Sequence, residues 1–256
     1  MKKAFLLSIA LVTLFISCKK HDDDDNKGSV YKGPVVQIYN GKAWTWVQLN
    51  KMEEPQKIAV VINDAALGSL PATSGGHMDN VWVLKFHPKF NTTIFNHVGL
   101  GWNPLGHEPL MIYGLPHFDF HFYEMTPEAV DAIPPFATAM DKFNNWPAAA
   151  YFPANYINPG GGVPMMGTHW IDVTSGEFHQ QQFSQTFIYG SYDGKVTFYE
   201  PMITLDFLRN HTNFERSIPQ PSKFQKTGWY PTKLMVSKHD GVTEIILSDF
   251  EYKIQS

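Results

Sequence analysis

The sequence predicts a mainly β fold, a β-sandwich or barrel-like single domain with a few short helices, and three observations carry that prediction. Aromatic residues are 14% of the chain, with 19 Phe, 11 Tyr and 7 Trp, and such side chains suit the pleated surface of a sheet. Asn40-Gly41, Asp193-Gly194 and Asp240-Gly241 each stand between apolar stretches of strand length, the pattern of hairpins closed by tight turns with positive φ. Between them, Phe118, Phe120 and Phe122 alternate strictly with His117, Asp119, His121 and Tyr123, so one strand presents an aromatic face and a polar face. Across all 256 residues, 43% are hydrophobic and 17% charged, enough for one sizeable core. The net charge of −4 leaves no basic excess to neutralise phosphates, which argues against nucleic acid as a partner. One cysteine excludes an internal disulfide.

The first 17 residues form an address. Lys2 and Lys3 precede an apolar run over 4–16, which has the layout of a secretory signal. Leu14-Phe15-Ile16-Ser17-Cys18 resembles a bacterial lipobox, with Phe15 where Leu is commoner. That resemblance implies cleavage before Cys18 and lipid on its sulfur, a durable membrane anchor when more than one chain is attached. Residues 18–29 read as a flexible acidic tether, since Asp22, Asp23, Asp24 and Asp25 repel one another and stay solvated. An acidic tract at this place resembles the surface-export signal of Bacteroidota lipoproteins, which implies the outer membrane and the cell surface as location. A metal site in the tract ranks low because a flexible segment loses its full conformational entropy on ordering.

The globular domain is expected over 30–256, beginning with a hairpin of strands 35–39 and 43–49 around Asn40-Gly41. A polar loop with Pro55 covers 51–57, the apolar run 58–62 reads as a buried strand, Gly75-Gly76 marks a loop, and 81–86 is another strand. In the strand 92–102, Gly99 and Gly101 permit a bulge or a close backbone approach. A loop over 103–109 delivers His107-Glu108, and Pro109 rules out a helical His-Glu-x-x-His motif. After the central strand, Thr126-Pro127-Glu128 carries a cap, a first-turn proline and a first-turn carboxylate, predicting a helix that Pro134-Pro135 ends. A second short helix is expected within 136–143, and another over 204–210. The loop 151–167 contains Gly160-Gly161-Gly162 but no Gly-Lys-Ser/Thr ending, so it is not a phosphate cradle, and it leads to His169 and Asp172. In the hairpin around Asp193-Gly194, a regular register sets Tyr189 opposite Phe198 and Phe187 opposite Glu200. Glu200 then ends an apolar face, costly unless the carboxylate is paired or ligated. Strands 229–238 and 242–252 close the chain around Asp240-Gly241.

His and Asp are ligands that divalent metals accept, so the polar face of 117–123 is a candidate metal site. A solvated strand face is the alternative. Residues two apart on a strand lie about 6.8 Å apart and can share an ion, whereas those four apart lie about 13.5 Å apart and share one only if the strand bends. The remaining ligands must therefore come from elsewhere, and His169 and Glu200 are the choices, with His107-Glu108 next. The expected centre is one divalent ion held where His117, Asp119 and His121 meet His169 and Glu200. Imidazole and carboxylate ligands suit zinc, iron or manganese, and Met165 and Met166 beside His169 admit copper as the lesser alternative. No nucleophile elbow is present, since Thr73-Ser74-Gly75-Gly76 lacks its frame, and a lipidated Cys18 supplies no thiol. His87, His97 and His211 read as surface or satisfied core residues.

Four blocks together look familiar: Gly106-His107-Glu108-Pro109, the 116–123 strand, Val163-Pro164-Met165-Met166-Gly167 with His169, Trp170 and Asp172, and Glu200-Pro201-Met202-Ile203-Thr204. Over roughly 90–210 the chain resembles an exported bacterial family, a domain of unknown function with a structurally sampled Thermus member. That resemblance implies no activity. Two function classes stay open: a metal-binding exported protein, with or without an enzyme's use of the ion to activate water, or a non-catalytic surface-displayed binding or assembly module, with homo-oligomers open to either.

Overall fold

Strands of this chain are built by alternation, and the alternation sorts into two sheets in the computed structural model, which describes residues 28–73, 80–91 and 93–256. The signal, Cys18 and most of the tether lie outside the described residues, as does Gly75-Gly76. The first sheet runs β1 (Ser29–Lys32), β3 (Gly41–Leu49), β4 (Pro55–Asn63), β14 (Val242–Lys253), β13 (Gly228–His239) and β12 (Asn213–Ser217), with β2 (Val36–Ile38) also paired to β3. The second runs β5 (Val81–Lys85), β6 (His97–Asn103), β7 (His117–Tyr123), β11 (Lys195–Thr204), β10 (Gln185–Tyr192), β9 (Thr168–Asp172) and β8 (Tyr156–Ile157). Both sheets are antiparallel and neither closes into a barrel. Ile58, Val60, Leu234, Val236 and Leu247 of the first share one core cluster with Leu100, Phe118, Phe120, Phe122 and Ile203 of the second. The mainly β fold is as the sequence predicts, and of the sandwich and barrel-like forms it is the two-sheet one.

The expected capped helix is α3 (Pro127–Asp131), where the Thr126 hydroxyl accepts from the amide of Ala129. With α4 (Met140–Phe143), the neighbouring loops and α2 (Leu110–Tyr113), it lies over the outer side of the second sheet, so β7 is buried on both faces. The solvated-face alternative is therefore incorrect: the chain on both sides of β7 folds back over it.

Two turn and register expectations need correction. The first hairpin turns at Tyr39-Asn40, one residue early, with Ile38 opposite Gly41 and Tyr39 at φ +48°. Gly41 serves the close approach of α1 (Asp64–Leu67): a Cβ there would sit 2.0 Å from the amide nitrogen of Ala66. Asp193-Gly194 and Asp240-Gly241 do form two-residue turns with positive φ at both positions. However, the β10–β11 register slips between Gly190 and Ser191, so that Glu200 faces Ile188 and Phe198 faces Gly190. Glu200 thus leaves the face of Phe187 and Tyr189 and turns outward from the inter-sheet core. The physical reason is the Phe198 ring, whose Cε1 lies 2.0 Å from where a Cβ on Gly190 would stand. Only glycine can sit opposite that ring. Smaller shifts are that Pro55 already begins β4, β6 starts at His97 and not near 92, and Ala139 breaks the second helix at φ −147°.

Gly190→Ala is expected to cost about 1–3 kcal/mol, because Phe198 is fully buried among His121, Tyr123 and His169 and has no room to yield. Denaturant unfolding checks this, and an unchanged midpoint would refute the account of the bulge.

Candidate metal centre

β7 supplies three of the expected ligands because its period of two puts His117, Asp119 and His121 on one face. Across the ladder, Met202 of β11 faces Asp119 and Thr204 faces His117, while Gly101 and Gly99 of β6 face Asp119 and His121. The β7–β11 pairing lapses at Glu200 and Pro201, where proline has no N–H to give. Glu200 is thereby left beside His121 with its side chain 2% exposed.

The five expected residues do not gather around one point. They divide into two clusters, and His107 joins the first. His107, His117 and Asp119 form one; His121, His169 and Glu200 form the other; within each, the ligand atoms lie within 4.8 Å of one another. In the first cluster, His117 Nε2 lies 3.2 Å from Asp119 Oδ1 and His107 Nε2 lies 3.6 Å from Asp119 Oδ2. In the second, His121 Nε2 and His169 Nε2 lie 3.3 and 3.7 Å from the same oxygen, Glu200 Oε2. Three ligand atoms at about 2.1 Å from a tetrahedral ion stand roughly 3.4 Å apart. The His–carboxylate separations of both clusters are close to that spacing, and both groups could hold a metal ion.

Hydrogen bonds fix the imidazoles of the first cluster. His117 Nδ1 is 2.7 Å from the carbonyl of Leu115, and His107 Nδ1 is 2.9 Å from that of Glu108. A carbonyl only accepts, so Nδ1 carries the hydrogen in each ring and Nε2 is the ligating nitrogen. Two Nε2 lone pairs then converge on a carboxylate, an arrangement that needs a proton or a cation between them. Asn103 donates to Asp119 Oδ2 at 2.7 Å and orients the carboxylate. Asp119 Oδ1 and Glu200 Oε2 are buried with no hydrogen-bond donor among the described residues.

The two carboxylates are pushed in opposite directions. Burial raises the Asp119 pKa, but the His117 and His107 imidazoles outweigh it and hold the group well below the ordinary carboxylate range. His107 is pulled down by burial and carried above its ordinary value by Asp119. Burial first, and the charge of Asp119 second, push Glu200 far above the usual range.

The loop before β7 positions His107. Gly106 has φ +69°, and a Cβ there would meet the carbonyl oxygen of Tyr113 at 2.1 Å, so only glycine closes this turn. Glu108, the partner of His107 in sequence, does not ligate; its carboxylate accepts from the amide of Leu110. His169 stands on β9 opposite Gly190, after the glycine-rich loop. Met165 and Met166 of that loop pack with Tyr123, Val130 and Phe198, and the Tyr123 hydroxyl donates to the Met165 carbonyl at 3.2 Å. His97 is buried and donates to the Met125 carbonyl; burial lowers its pKa to about 4, so it stays neutral. His87 stacks on Tyr31 and His211 on Phe207, away from both clusters.

No family model, curated protein or solved structure matches this chain.

Proposed function

We propose that this chain is an exported, lipid-anchored protein that binds divalent metal (zinc, iron or manganese) in both clusters. The observation that carries this is the ligand spacing: 3.2 and 3.6 Å in one cluster, 3.3 and 3.7 Å in the other. Donor chemistry supports it too, since imidazole and carboxylate without thiolate suit these metals. Copper has less support, because Met165 and Met166 pack with the apolar wall. Three protein ligands leave a fourth position for water, and an ion there would supply hydroxide for hydrolysis near neutral pH. Elemental analysis of protein purified without a histidine tag is expected to find two equivalents of metal per chain. Protein that carries none and takes up none overturns the reading and favours the non-catalytic binding or assembly module.

Anchoring rests on the charged start, the apolar run and the lipobox-like end at Cys18. Cys18→Ala is expected to move the protein out of the membrane fraction or leave an unprocessed precursor. Unchanged fractionation and unchanged mass would count against lipidation.

A further inference from the structure

Beside the two clusters lies a cavity of about 140 Å³, floored by β6 and β7 and roofed by α3 and the glycine-rich loop. We infer that this cavity binds a small organic acid with an apolar body of roughly six carbons, its carboxylate directed at the ions. The inference rests on the metal reading above and adds the class of ligand.

Three observations carry it. Among the lining residues, Asp119 belongs to one cluster and His121 to the other, so the floor of the cavity touches one ligand of each. The space exists because β6 has no side chains there: Gly101 faces Asp119 and Gly99 faces His121. At Gly99 the Tyr123 ring explains the glycine, since a Cβ would meet it at 2.9 Å. Gly101 has no such explanation. A Cβ there would make only an ordinary contact, 3.7 Å from Asp119 Cβ, and its φ is not in the left-handed region. What a side chain at 101 would take away is the empty volume over Asp119.

The chemistry of the walls selects the ligand. Val81, Val83, Val130, Met165 and Met166 line the sides, and His97 is neutral at pH 7. A buried apolar cavity of about 150 Å³ is known to accept a benzene-sized guest, which sets the size of the body. Each cluster holds one carboxylate and two imidazoles, so a divalent ion leaves each with net positive charge. Asp131 also lines the cavity, but it is exposed at the rim and screened by solvent. Two largely buried centres, positive once an ion is bound, would outweigh one screened carboxylate at the mouth. An anionic head therefore points inward.

Calorimetric titration of the zinc-loaded full chain with hexanoate, benzoate and acetate tests this. Hexanoate and benzoate are expected to bind at least tenfold tighter than acetate, and chelation is expected to abolish binding of all three. Gly101→Val should keep both zinc equivalents and lose the tenfold preference. Should that variant lose zinc, Val130→Phe fills the same space from α3 and is read in the same way. Equal affinity for acetate and hexanoate, or a preference that survives filling of the cavity, overturns the inference while the metal reading stands. A protein that takes up no zinc fails both at once.

Discussion

Zinc added to the metal-free protein is expected to raise its stability in two separable parts, each lost with a different histidine. A ligand that binds only the folded chain stabilises it by about 4 kcal/mol at a thousandfold excess over its dissociation constant. For a chain of this size that is on the order of 10 °C per site. His121→Ala should remove one equivalent and its share of the shift, because His121 meets Glu200 at 3.3 Å and takes no part in the other cluster. His117→Ala should remove the other equivalent. Glu200→Gln should abolish the second site without lowering the melting temperature of the metal-free protein, since the buried carboxyl is already pushed far above its usual range. Bound metal needs deprotonated ligands, so the zinc-dependent stabilisation should be present at neutral pH and fade as pH falls through the imidazole range near ~6.5. If either alanine removes both equivalents, the clusters are one shared centre, and the division into two sites is wrong.

That division is where sequence and structure part. The placement of His117, Asp119 and His121 on one face follows from the period of a strand and needs no tertiary information. The same holds for the turns at Asp193-Gly194 and Asp240-Gly241, and for the Thr126 cap, because each is set by two to four neighbouring residues. His107 could be noticed beside the strand but not placed, since a loop turned by Gly106 brings it back over β7. The outward turn of Glu200 depends on Phe198 lying across Gly190, a contact between strands that alternation alone does not encode. A register counted from the turn puts Glu200 on the wrong face, and one extra residue on β11 corrects it. Burial of the polar face was equally hidden, because the covering helices α3 and α4 are too short to show a face of their own.

A second large effect is expected one residue beyond β7. The Glu124 carboxylate is 3% exposed and pairs with Lys226 Nζ at 2.9 Å; that ammonium also donates to the Glu124 carbonyl at 3.2 Å. Burial raises the Glu124 pKa, and Lys226 opposes the rise without cancelling it. Lys226→Met removes the ion-pair partner and leaves a buried charge. Breaking a fully buried pair costs about 3–5 kcal/mol, and the half-exposed lysine puts this one nearer 2–3. The melting temperature should fall by on the order of 5–10 °C at pH 8. A carboxyl whose folded pKa lies above its unfolded value, near ~4.3, binds its proton more tightly when folded. Its destabilising effect is absent below the unfolded pKa and grows as pH rises through the folded one. The gap between Lys226→Met and the parent should therefore close in acid and open toward alkaline pH. Adding Glu124→Gln to Lys226→Met should recover most of the loss at pH 8, since the amide buries no charge. A loss of equal size at every pH would mean that the lysine stem, packed at the surface, matters and the charge pair does not. The consequence reaches the clusters, because the Glu124 amide donates to the Thr197 carbonyl at 2.7 Å, at the bulge that turns Glu200 toward His121. Metal content of Lys226→Met should consequently fall at pH 8 before the chain unfolds.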